Sequence, residues 1–84
     1  MNSDSFYTEM TLHARVVKLL ESKNDFGGPQ SVNDLCLNLK ISNGNSRSVL
    51  VRLYQSGKIE RIEKGIYKLK NDNRKYDLTK PHMD

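Results

Sequence analysis

Between Ser42 and Leu69 the chain reads SNGNSRSVLVRLYQSGKIERIEKGIYKL, and its hydrophobic period changes at a single glycine. Before Gly57, Ser46, Val49, Leu50 and Leu53 recur at i, i+3, i+4 and i+7, the stripe that an amphipathic helix turns toward a core. After Gly57 the apolar residues Ile59, Ile62, Ile66, Tyr67 and Leu69 are β-branched, aromatic or aliphatic, and Glu63-Lys64-Gly65 interrupts them as a turn. The spacing therefore predicts a helix over 43–56, a sharp stop at Gly57 and a two-stranded hairpin over 58–70, with no linker between them. Two strands alone are marginal in water, so the hairpin must pack on helices, with Tyr67 and Leu69 as its anchors.

The helices upstream are legible by the same means. Leu12, Val16, Leu19 and Leu20, widened by Met10 and Val17, predict a first helix from about Thr8 to Ser22. KNDFGGPQ (23–30) crowds turn residues together and reads as a flexible connector, with Phe26 plugging the core edge. Ser31-Val32-Asn33-Asp34 has the form of a capping box and opens a short second helix over 32–39, whose inward face is Val32, Leu35, Cys36 and Leu39. Lys40-Ile41-Ser42 makes a turn with Ile41 inward and Ser42 or Asn43 capping the third helix. From Asn71 onward NDNRKYDLTKPHMD loses all periodicity and is expected as a disordered tail, like residues 1–7 at the other end.

Charge is polarised along this plan. Residues 40–70 hold eight Lys/Arg against Glu60 and Glu63, a balance of +6, whereas residues 1–39 balance at −2 and residues 71–84 at zero; the total is +4. A basic segment coincident with a helix and hairpin is the pattern expected of a surface that meets polyphosphate, where cations displace condensed counterions. The outer face of the third helix adds Asn45, Arg47, Ser48, Val51, Arg52 and Gln55, which apart from Val51 are polar donors and acceptors, with no acid among them.

Other classes of function find little support. Eighty-four residues, 36 % of them hydrophobic, make one domain too small for a large enclosed pocket. No paired carboxylates, nucleophile with a base, or complete phosphate loop appears at usable spacing, so no enzymatic activity is expected. Cys36 is the single cysteine and reads as a small buried hydrophobe. His13 reads as a surface residue and His82 lies far from other ligands, so neither metal nor cofactor is expected. No apolar run reaches the roughly 18–20 residues of a membrane span and no secretory h-region is visible, which makes the cytoplasm the expected location.

The order of helix, capped short helix, tight turn, helix, glycine and basic hairpin resembles the winged helix-turn-helix family of DNA-binding domains over about residues 10–70. The likeness rests on Ser31-Val-Asn-Asp-Leu opening the second helix, Ile41-Ser42 in the turn, Leu53-Tyr-Gln-Ser-Gly57-Lys-Ile59 closing the third, and Gly65-Ile-Tyr67-Lys-Leu69 in the hairpin. It implies an α+β fold, mainly α, of three helices followed by a two-stranded wing. It further implies that the third helix enters the major groove of double-stranded DNA while the wing follows the backbone. On that resemblance Asn43, Asn45, Arg47, Ser48 and Arg52 are the candidates for base edges and adjacent phosphates, and Lys40, Lys58, Arg61, Lys64 and Lys68 for phosphate. The implied protein is a small transcriptional regulator or an antitoxin-like repressor, acting as a homodimer on a repeated site without a small-molecule substrate. A winged-helix adaptor that binds another protein is the competing expectation.

Overall fold

Three helices and a three-stranded antiparallel sheet make up residues 11–82, the part of the chain that the computed structural model describes. In chain order they are α1 (Leu12–Glu21), β1 (Gln30–Ser31), α2 (Val32–Leu39), α3 (Asn43–Gln55), β2 (Ile59–Glu63) and β3 (Ile66–Leu69), with strand order β1-β3-β2. The fold class is α+β. The expected start of the first helix at Thr8 and the contribution of Met10 lie outside the described residues. Within them, Thr11 caps α1 by accepting the Ala14 amide at 3.1 Å.

The core sits where the three helices meet the sheet. Val16, Leu19 and Leu20 of α1, Leu35 of α2, and Val49, Leu50 and Leu53 of α3 are buried together with Ile59 and Tyr67 of the hairpin. Each fully buried leucine contributes about 2–3 kcal/mol by removal from water. Phe26, Ile41 and Leu69 pack on the periphery, as their spacing predicts. Cys36 is only half-buried, with Sγ 3.3 Å from the Ser46 hydroxyl, because its helix turns Leu35 more directly inward.

A third strand joins the expected hairpin. Gln30 pairs with Tyr67 and Ser31 with Ile66, and the Val32 amide donates to the Gly65 carbonyl at 3.1 Å. Two residues are too short to show a period, which is why the sequence reads this segment as connector. Ser31 is at once the end of β1 and the cap of α2. Its hydroxyl accepts the Asp34 amide at 3.0 Å, and the Asp34 carboxylate accepts the Ser31 amide at 2.9 Å, so the capping box takes its reciprocal form. Behind it, buried Gln30 donates to the carbonyls of Phe26 and Gly28 and accepts from Asn38, which satisfies an amide removed from water.

The turn between α2 and α3 is held at both ends. Lys40 takes the left-handed conformation, φ 55°, at the C-terminus of α2. Arg15 of α1 donates to the Leu39 carbonyl at 3.2 Å, meeting one of the carbonyls a helix end leaves unpaired. Ser42 then caps α3 by accepting the Asn45 amide. At the other end of α3, Gly57 adopts φ 83° while its amide donates to Tyr54 and that of Lys58 to Leu53, the paired bonds of a Schellman stop.

Residues 71–82 carry no helix or strand, as their polarity predicts, yet they lie against the domain where a disordered tail was expected. Arg74 donates to the Leu20 and Ser22 carbonyls at the end of α1 and pairs with buried Asp72 at 2.9 Å. The Lys80 ammonium donates to the carbonyls of Gly27 and Pro29. Tyr76 donates to Asp34 at 2.8 Å, and His82 Nε2 lies 2.6 Å from the other oxygen of the same carboxylate. The Gly27-Gly28 pair acquires a reason here: Gly28 has φ 82°, and a Cβ on it would stand 2.8 Å from Arg74 Cζ.

Asp34 gives this arrangement a pH signature. Burial pushes its carboxyl up, but bonds from the Ser31 amide, His82, Tyr76 and the Ser31 hydroxyl outweigh burial and hold it below the usual 3.8. A carboxyl depressed on folding stabilises the protein above the unfolded value, and that contribution is lost as pH falls through the folded one. In denaturant titrations at a series of pH values, the gap between wild type and Asp34→Asn is expected to be widest above about pH 5 and to close below 3.8. A gap independent of pH would remove Asp34 ionisation from the account.

Candidate nucleic-acid interface

Helix α3 places its predicted polar residues outside because Ser46, Val49, Leu50 and Leu53 are inside. Asn43, Asn45, Arg47, Ser48 and Arg52 are all exposed. At about 100° per residue, Arg47 and Arg52 stand about 140° apart around the axis, on two flanks of the same outer surface. Asn45, Ser48 and Arg52 share one flank. Asn43, Arg47, Val51 and Tyr54 share the other. Nothing in this helix is acidic, so no carboxylate opposes an approaching anion from α3 itself.

The Tyr54 flank faces the hairpin. Its ring meets that of Tyr67 on β3 edge to face, with centroids 6.0 Å apart. Arg61 is the cross-strand partner of Tyr67, and paired residues project to the same side of a sheet. Arg61 therefore belongs to the side that looks toward α3, with its guanidinium exposed. Lys64 occupies the tip of the β2–β3 turn, and Lys58 the sharp exit from α3; both are exposed. A bulge between Arg61 and Glu63 shifts the register of β2 just before that tip.

One of the ten predicted residues is differently placed. Lys68 pairs with Glu60 across the strands, on the opposite side of the sheet from Arg61. Its ammonium is 3.3 Å from the Glu60 carboxylate and donates to the Asp72 carbonyl at 2.9 Å. It ties the base of the hairpin to the segment after it and is not a free cation. Lys40 is exposed, but it lies in the turn before α3, where its backbone closes α2. The remaining cations Arg52, Lys58, Arg61 and Lys64 have no hydrogen bond or ion pair among the described residues, while Arg47 Nε donates to Asn43 Oδ1 at 2.6 Å.

Tyr54 is the residue that pattern reading did not single out, and Val51, named on the outer face, was given no role there. Val51 is 43 % and Tyr54 48 % exposed on the flank of Arg47. Their spacing from Arg47, one turn for Val51 and two for Tyr54, is the signal that could have found them. Chemically the surface offers guanidinium groups, amides, a hydroxyl and two apolar contacts, with no cluster of titratable groups. Among the described residues no group of three or more His, Cys, Asp or Glu is arranged to hold a metal, and no helix is long and apolar enough to cross a membrane.

The two lysines of the hairpin are expected to separate in a stability measurement. Lys68→Ala should cost about 0.5–1.5 kcal/mol, since it frees the Asp72 carbonyl and removes a half-buried stem. Lys64→Ala should stay within about 0.5 kcal/mol of wild type. Urea midpoints read both, and a larger loss for Lys64→Ala would overturn the assignment.

Comparison of the chain with family models, with curated proteins and with solved structures finds no match.

Proposed function

We propose that this chain is a winged-helix protein that binds double-stranded DNA, with α3 in the major groove and the β2–β3 wing along the backbone. The observation that carries the reading is the acid-free outer surface of α3, flanked by exposed Lys58, Arg61 and Lys64 that have no partner among the described residues. Unpaired cations on rigid elements are what phosphate neutralisation requires, because each displaces counterions from the duplex. Asn45, Ser48 and Arg52 on one flank and Arg47 on the other then reach base edges, as donors and acceptors of the kinds that distinguish base pairs in that groove. The tight α2–α3 turn fits a two-helix unit in which α2 crosses the backbone and α3 reads. A regulator of transcription working as a homodimer on a repeated site is the role that suits such a unit best.

A second reading has its own observation. Tyr54, Val51 and Arg47 together form the kind of aromatic, aliphatic and guanidinium patch that anchors protein interfaces. In that case this patch takes a protein segment, and the chain is an adaptor.

Salt titration separates the two. Duplex binding is expected to weaken with a log–log slope of about −3 to −6, matching about four to six neutralised phosphates. Lys64→Ala should flatten that slope by about one and weaken all sequences alike, whereas Arg52→Ala should relax sequence preference at a cost of about 1–3 kcal/mol. Absence of duplex binding at about 50 mM salt would favour the adaptor.

A further inference from the structure

Arg47 and Asn43 stand one turn apart at the start of α3, and they are bonded to each other before any ligand arrives. Arg47 Nε donates to Asn43 Oδ1 at 2.6 Å, both side chains being exposed. An exposed arginine ordinarily samples many rotamers, and fixing it on a ligand costs side-chain entropy. Here the stem is already tethered through the one donor that is not at the tip. The four N–H groups on Nη1 and Nη2 have no partner among the described residues, and they form the fork that meets two acceptors side by side.

The same bond changes what Asn43 can do. Reading adenine requires the amide oxygen to accept from N6 while the amide nitrogen donates to N7. With Oδ1 accepting from Arg47, one of its two lone pairs is taken and the amide is held in an orientation set by the arginine and not by a base. Asn43 is also not needed to cap its helix, since Ser42 does so through the Asn45 amide. Its side chain therefore has one visible task, which is to aim Arg47.

Resting on the DNA-binding reading above, we propose that Arg47 reads a guanine through N7 and O6 with its terminal nitrogens, and that Asn43 is a positioning residue for it and makes no base-specific contact. Guanine is the base that presents two adjacent acceptors in the major groove, the complement of a fork with nothing left to accept.

The test uses the full chain and a duplex enriched by it from a random pool at about 50 mM salt, with each guanine replaced in turn by 7-deazaguanine, which lacks the N7 acceptor. At one position this replacement should weaken wild type by about fivefold or more, and Arg47→Ala should bind both duplexes equally. Asn43→Ala should shrink the ratio between the two duplexes. Asn43→Asp, which keeps an oxygen for Nε, should retain the ratio even though its added charge weakens binding to every duplex. A merely structural role for Asn43 moves overall affinity and leaves that ratio untouched. Duplex binding in which Asn43→Ala keeps the wild-type ratio, or in which Arg47→Ala remains sensitive to the same guanine, would overturn the proposal while leaving DNA binding standing. No duplex binding by any variant would overturn both.

Discussion

The carboxylate of Asp34 is where the separate parts of this small domain are joined. It is almost entirely buried, and it accepts from the Ser31 amide, from Tyr76 and on its second oxygen from His82. One of those partners is the residue at which β1 becomes α2, and the other two belong to the segment after the sheet. A buried carboxylate is tolerated only when its lone pairs are met, and here three separate groups meet them. The consequence reaches α3, because the direction of α2 is fixed by β1 and α3 follows α2 across a three-residue turn. Removing the hub would loosen the frame on which the outer helix is aimed, without touching that helix.

The parts that were legible in the sequence are those governed by local rules. The stripe through Ser46, Val49, Leu50 and Leu53, the stop at Gly57, the capping box at Ser31 and Asp34, and the turn at Lys64-Gly65 each show in spacing or residue type, and each element lies within a residue or two of its expected bounds where it is described. What was not legible depends on groups far apart in the chain meeting one another. Strand β1 is two residues that pair only because β3 is there. Arg74 and Lys80 find carbonyls more than fifty residues away, and such contacts impose no period on the sequence around them. The same blindness explains Lys68: composition marks it as one more cation, and only the cross-strand register shows that it faces Glu60.

The candidate surface shows the same division. That α3 turns its basic and amide residues outward follows from the position of its apolar stripe, so the exposed set could be named in advance. That Arg47 is tethered, and that Arg52 is not among the described residues, depends on rotamers and neighbours. Composition alone treats ten polar residues as equivalent contacts. The geometry sorts them into a tethered fork, free cations and a structural lysine.

Among the described residues the sheet ends in β2, whose outer side has no neighbouring strand there. An open edge of this kind is a template for adding another chain, and two features blunt it: Glu60, Arg61 and Glu63 load it with charge, and the bulge beside Arg61 breaks its hydrogen-bond rhythm. The opposite edge, β1, offers only two residues. Neither described edge is therefore well equipped to zip copies of this protein together main chain to main chain into fibres.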